Sequence, residues 1–151
     1  MIQVYKKTIQ ECLKSEKEND ILSIIIKLYC KLDSEDITNK IVPYLTNENE
    51  LIKKATIFAL IKYGINENIT LAKDELTKLF SYSNKDIKIA LDCLCQIKEV
   101  FNYEENIIQA LNSLDTNIKI SAIKTVGELK LTKFLPNLLN DLKYQINQII
   151  F

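Results

Sequence analysis

Four times along the chain a polar turn is followed by an aliphatic residue that opens a helical apolar stripe. The openings are Asn19-Asp20-Ile21, Glu50-Leu51-Ile52-Lys53, Asp86-Ile87-Lys88 and Asn117-Ile118-Lys119. The anchors Ile21, Ile52, Ile87 and Ile118 stand 31, 35 and 31 residues apart. Recurrence at a period of roughly 20–50 residues marks a chain built from repeated supersecondary units. One such unit cannot bury its apolar face alone, so neighbours must stack to make a continuous core.

Within each unit the apolar period is helical. A first helix is expected over about 2–17, with Ile2, Tyr5, Ile9, Cys12 and Leu13 on one stripe. Asn19 or Asp20 then caps a helix to Leu32, whose stripe reads Ile21, Ile24, Ile25, Leu28 and Tyr29. Asp33-Ser34 breaks it and caps a third helix, about 35–46, with Ile37, Ile41, Val42 and Leu45; Pro43 should kink or shorten it. The next helix covers about 49–63, and Gly64 suits a left-handed C-cap. Asn66 to Thr70 reads as a longer linker that accounts for the 35-residue spacing, followed by a helix over about 71–82. Ser83-Asn84 caps a helix over about 85–99, paired with one over about 103–113. Asp115 or Thr116 caps the last pair, whose second member carries Leu135, Leu138, Leu139 and Leu142 and runs towards Ile150. Residues 1–18 thus form a leading helix, and the units fall at about 19–47, 48–83, 84–114 and 115–151 in a single domain.

Composition supports this and removes several function classes. Two Gly and two Pro in 151 residues are too few for the turns of a sandwich or barrel. The 20 basic and 20 acidic groups cancel, and every basic group is Lys. Without Arg there is no rigid guanidinium fork for phosphate, and without His no imidazole base or metal ligand. A nucleic-acid binder normally carries a clustered basic face, which near-neutral thirds of the chain do not provide. The start, Met1-Ile2-Gln3-Val4-Tyr5-Lys6-Lys7, lacks a signal peptide's apolar run, and Ile24-Ile25-Ile26 is too short to cross a bilayer. A soluble, cytoplasmic chain with four reduced thiols and no membrane partner is expected. No phosphate-loop, dinucleotide, zinc-protease or nucleophile-elbow motif occurs, and no cofactor is expected.

The stretch Asp115-Thr116-Asn117-Ile118-Lys119-Ile120-Ser121-Ala122-Ile123-Lys124-Thr125-Val126-Gly127-Glu128-Leu129 resembles the first helix of a HEAT repeat. It has the acidic turn, the aliphatic–basic pair, an Ala four residues on, and an aliphatic–Gly pair. Phe134-Leu135-Pro136-Asn137-Leu138-Leu139 is similar to a HEAT second helix with its early Pro. Ile52-Lys53 and Ile87-Lys88 repeat the aliphatic–basic pair; Leu91, Thr56 and Leu22 depart from the pattern. The likeness covers about 20–145. It implies an all-α, armadillo-like fold: a short right-handed α-α superhelical solenoid of about four helix–turn–helix repeats plus an N-terminal helix. It also implies a scaffold that grips another protein with a concave face of second helices. By analogy with small solenoids, a bacterial toxin-neutralising immunity protein is one concrete form. The alternative that the likeness brings is a HEAT-like nucleic-acid-binding or DNA-repair protein, which the lack of Trp, Arg and net positive charge disfavours.

Candidate sites are few. Cys93 and Cys95 are two residues apart, about 200° around a helix, so their thiols diverge and suit core packing better than a metal. Lys53, Lys88 and Lys119 recur at equivalent places, as a basic stripe or, more simply, as ties to a neighbouring unit's turn. The adjacent pairs Asp74-Glu75 and Glu104-Glu105 do not converge as an acid–base couple. Tyr44, Tyr82, Tyr103 and Tyr144 fall on or at the ends of second helices, and tyrosine is favoured at interfaces. With Asn47, Glu104, Glu105, Asn137, Asn140 and Asp141 they are the expected protein-binding residues, against the plainer reading of core-edge packing. Ile146, Ile149, Ile150 and Phe151 leave an apolar end that either folds back or meets a partner.

Overall fold

A computed structural model describes the backbone of residues 2–32 and 35–150; the side chains of 2, 3, 35–37, 141, 144–146 and 148–150 lie outside the description. Asp33, Ser34, Ile37 and the apolar end at Ile146, Ile149, Ile150 and Phe151 therefore fall where no side-chain statement is made. The described chain is helical, with no strand among the described residues, and it divides into two compact units, Met1–Leu79 and Phe80–Phe151. No helix among the described residues is long and apolar enough to cross a membrane.

The first unit contains α1 (Ile2–Ser15), α2 (Asn19–Leu32), α3 (Glu35–Ile41), α4 (Glu50–Tyr63) and most of α5 (Asn66–Ser81). Pro43 ends α3 as expected: the helix passes into a 3₁₀ turn, Val42–Thr46, because proline offers no amide hydrogen. α2 packs against α1 and α4, and α4 also meets the 3₁₀ turn. The Asn49 side chain caps α4, accepting from the amides of Leu51 (3.0 Å) and Ile52 (3.3 Å). That cap aims Ile52 into a core shared with Leu22, Ile26, Tyr29, Ala55 and Leu60.

Four sequence expectations fail in this unit. Ile21, Ile24 and Leu28 are exposed, and the buried stripe of α2 is Leu22, Ile26, Tyr29 and Cys30. α2 is apolar on nearly every side, so two stripes fit a helical period and only packing distinguishes them. Asn19 and Asp20 lie inside the first turn of α2; its ladder opens with the Leu22 amide donating to the Glu18 carbonyl (2.9 Å). The expected linker, Asn66 to Thr70, is the first turn of α5. There Asn68 is buried and its amide donates to Thr38 Oγ1 (3.0 Å) and Asn39 Oδ1 (2.9 Å). Gly64 caps α4 in extended backbone, φ −73° and ψ 163°, rather than left-handed. Its glycine is required by space: a Cβ there would stand 2.3 Å from the Leu60 carbonyl oxygen.

The second unit contains α6 (Asn84–Ile97), α7 (Glu104–Leu111), α8 (Thr116–Glu128) and α9 (Leu135–Ile150). α8 packs on both α6 and α7. Ser83 and Asp86 form a reciprocal capping box at the start of α6. Asp115 caps α8 through the amides of Asn117 (2.8 Å) and Ile118 (3.2 Å), and its other oxygen accepts from Asn84 (2.9 Å). The two backbone amides, then Asn84 and the nearby Lys88, hold its carboxyl below its ordinary value of 3.8. Lys88 thus lies near enough to the turn that opens α8 to favour the charged Asp115. Ile118 enters the core with Ala90, Leu94, Ile107 and Ala122, while Ile87 is only half-buried.

In each unit several side-chain hydrogen bonds join helical segments 29–31 residues apart in sequence. Tyr44 to Leu13, Asn68 to Thr38 and Asn68 to Asn39 span 31, 30 and 29 residues in the first. Asn84 to Asp115, Cys95 to Thr125 and Lys133 to Glu104 span 31, 30 and 29 in the second.

Candidate docking groove

Of the residues expected from sequence to bind a protein, Tyr44 and Asn47 belong to the first unit and the others to the second. Tyr103 is 8% exposed and stacks on Phe80, ring centroids 5.3 Å apart, with Phe101 edge-on at 6.3 Å. It is a core residue, because the turn before α7 folds its ring inward. Tyr44 is half-buried, its hydroxyl donating to the Leu13 carbonyl (3.4 Å) beside a cavity of about 350 Å³ lined by Gln10, Lys14 and Lys40. Asn47 is spent on its own turn, accepting from the Asn49 amide (2.8 Å). Glu104 is exposed and pairs with Lys133. Tyr82, Glu105 and Asn140 are exposed and Asn137 is half-buried. Asp141 and Tyr144 are outside the described side chains.

The cysteines and acids do not form a reaction centre either. Cys93 is fully buried, whereas Cys95 borders a polar cavity of about 200 Å³ between α6 and α8, with Asp92, Gln96, Lys124 and Glu128. Burial raises the Cys95 thiol, Thr125 partly opposes this, and Glu128 and Asp92 raise it further. A thiol held protonated is a poor nucleophile. Among the described residues no cluster of three His, Cys, Asp or Glu is placed to hold a metal ion.

The feature that does stand out is apolar and lies between α8 and α9. A groove of about 460 Å³ has one wall from Ile123, Val126 and Gly127 of α8. Lys130, Leu131 and Thr132 close one end, and Leu135 and Leu138 of α9 form the other wall. On α8, Ile120, Ile123 and Gly127 follow the i, i+3, i+7 stripe of one helix face; on α9, Leu135, Leu138 and Leu142 do the same. Ile120, Ile123, Leu135, Leu139 and Leu142 are 42–56% exposed. Aliphatic side chains clustered at this exposure mark an interaction site more often than chance scatter does.

Two residues at this groove are poor choices for the local fold. Gly127 lies inside the last turn of α8, where glycine is less stable than alanine by roughly 0.5–1 kcal/mol. Nothing in the chain requires it: a Cβ at Gly127 would meet no atom within 4 Å. Lys130 has φ 53°. Its amide donates to the Gly127 carbonyl (3.2 Å) and that of Leu131 to Val126 (3.0 Å), the paired bonds of a Schellman end. Glycine is the favoured residue at that left-handed position, because a side chain there costs roughly 1–2 kcal/mol. Lys98 and Phe101 also have positive φ, but of the three only Lys130 lines this groove. α8 therefore carries its glycine three residues too early and a lysine where the glycine belongs. Local choices that oppose stability cluster at working sites. The order of Gly127 and Lys130 is the trace that this groove leaves in the sequence.

The chain matches no known protein family, no curated protein and no solved structure.

Proposed function

We propose that this chain is a non-catalytic protein-binding module and that the groove between α8 and α9 is its docking site. The observation that carries the reading is the pairing of an exposed aliphatic groove with two locally disfavoured residues, Gly127 and Lys130, on its border. The groove is concave, lined mainly by aliphatic atoms and sized for the side chains of a partner helix. A HEAT-like, armadillo-like solenoid is supported by side-chain hydrogen bonds that each span 29–31 residues. Such a module works by shape, and a toxin-neutralising immunity protein in the cytoplasm is one form that this function would take.

Nucleic-acid binding is the weaker reading. The groove's walls offer methyl groups rather than a lysine track, and the chain's net charge is zero. Alanine or serine at Leu135, which is 48% exposed, leaves the core untouched. Co-purification of the wild-type chain with the product of a neighbouring gene, lost in Leu135→Ser while the circular dichroism spectrum is unchanged, tests the proposal. A complex that survives Leu135→Ser and Ile123→Ser together places the interface elsewhere and refutes it.

A further inference from the structure

The cavity beside Tyr44 belongs to the first unit and is lined by charge of one sign. Gln10, Leu13 and Lys14 stand at i, i+3 and i+4 on one face of α1; Lys40 of α3 and Tyr44 of the 3₁₀ turn complete the lining. Two lysines face it and no carboxylate does. Other cavities differ. The α8–α9 groove has Lys130 alone, and the α6–α8 cavity sets Asp92 and Glu128 against Lys124. A cavity of about 140 Å³ beside Phe80 and Ser113 has no charged side chain. Among the described residues, Lys14, Lys40 and the half-buried Gln10 make no side-chain hydrogen bond or ion pair. Lys54 and Lys78 of the same unit do pair, with Glu50 (4.0 Å) and Glu75 (3.7 Å).

The plain reading of the two lysines is helix-end chemistry. Each stands in the last turn of its helix, where a cation offsets a macrodipole end worth roughly half a negative charge. Two such ends offset about one of the two positive charges. About one remains, and no carboxylate in the cavity cancels it. We infer that the cavity binds a small organic monoanion, a carboxylate carried on a short aliphatic body. The ammonium groups of Lys14 and Lys40 and the carboxamide N–H of Gln10 are the donors available to the carboxylate. Leu13, 6% exposed, and the ring of Tyr44 supply apolar surface for the body. The Tyr44 hydroxyl already donates to the Leu13 carbonyl (3.4 Å), so it joins the two walls rather than holding the ligand. At about 350 Å³ the cavity sits at the small end of ligand sites, with room for on the order of ten non-hydrogen atoms. A phosphate dianion exceeds the remaining charge and leaves the apolar walls unfilled. The inference does not rest on the docking function proposed above, since that groove belongs to the second unit.

The test titrates the full chain, methyl-labelled at leucine, with isocaproate, neutral isocaproamide, isohexylamine and inorganic phosphate at constant ionic strength. Isocaproate is expected to move the Leu13 methyl resonances with a dissociation constant of about 1–10 mM, in keeping with so small a ligand. The amide should bind about three- to tenfold more weakly, and the amine and phosphate more weakly still. Lys14→Gln and Lys40→Gln should each weaken isocaproate about two- to fivefold, and the double variant should bind acid and amide alike. Both lysines are exposed, and unmoved methyls at the buried Leu60 report an intact core in each variant. Equal binding of acid and amide by the wild-type chain refutes the charge assignment. Phosphate binding more tightly than isocaproate refutes the monoanion and assigns the cavity to phosphate. A preference for the acid that survives in the double variant places the carboxylate elsewhere and refutes the site. No shift at Leu13 with isocaproate at several times that concentration refutes binding in the cavity altogether.

Discussion

The two glycines of this chain should respond to alanine with opposite signs. At Gly64 the added methyl carbon would fall 2.3 Å from the Leu60 carbonyl oxygen and 3.2 Å from its carbon. Both are backbone atoms, held by the Gly64 amide donating to Leu60 (2.9 Å), so no side-chain rotation relieves the clash. Forced overpacking costs roughly 1–3 kcal/mol, and a rigid backbone target puts this case near the top. Restricting the unfolded chain returns about 0.4–1 kcal/mol, leaving a net loss of about 2 kcal/mol. At Gly127 the same methyl carbon meets nothing within 4 Å and φ is not in the left-handed region. Gly127→Ala should therefore gain about 0.5–1 kcal/mol from helix propensity alone. For a chain of this length each kcal/mol moves the melting temperature by about 2–4 °C. Thermal unfolding followed at 222 nm should drop by about 4–8 °C for Gly64→Ala and rise by about 1–4 °C for Gly127→Ala. A rise for both would mean that Gly64 is an unconstrained linker. A fall for both would mean that Gly127 is held by packing, and the case for a vacant groove would lose its main support.

Four further outcomes follow from the same geometry. Lys130→Gly should raise stability by about 1 kcal/mol, by relieving the left-handed backbone at φ 53°; a destabilised variant contradicts the strain. Asn68→Ala should lower stability by about 2 kcal/mol in urea unfolding, because it removes a buried amide that serves Thr38 and Asn39 at once; a neutral result contradicts that link. Asp115 has its folded carboxyl held low, so its contribution is present above its ordinary value of 3.8 and is lost as pH falls through the lower folded value. Melts between pH 7 and 3 should thus fall less steeply below pH 4 for Asp115→Asn, whose side-chain oxygen still caps α8; parallel curves contradict it. Ellman's reagent at pH 8 should label the exposed Cys12 quickly, while the buried Cys93 waits for unfolding, as does Cys30, whose own thiol is pushed by burial up to about 12; rapid labelling of all four contradicts the burial.

Helix type and approximate extent were legible because capping and period are local physics. Asn49 and Asp115 are short polar side chains three residues before Ile52 and Ile118, and both anchors end 2% exposed. Pro43 ended α3 for the same local reason. What failed needed tertiary information. The apolar residues of α2 support two stripes, and contact with α1 and α4 selects the one through Leu22 and Ile26. Polarity at Asn66–Thr70 suggests a linker, yet Asn68 is polar because it serves a buried hydrogen bond across 30 residues. Gly64 looked left-handed because helix ends often are; the nearby Leu60 carbonyl requires glycine for a different reason. Tyr103 looked like an interface residue by type, and only the fold places Phe80 beneath its ring. The candidate site was least legible, since the groove belongs jointly to α8, the turn at Lys130 and α9. Its trace in sequence is the order of Gly127 and Lys130, which helix-end chemistry would reverse.

The central claim is that partners dock between α8 and α9. Methyl-labelled Ile, Leu and Val spectra of the full chain, titrated with the protein that co-purifies with it, test it most directly. The account predicts that resonances of Ile123, Val126, Leu131, Leu135 and Leu138 shift together with one affinity, while Ile52 and Leu60 stay fixed. Shifts confined to the exposed stripe Ile21, Ile24 and Leu28 of α2, with the groove methyls unmoved, would contradict it.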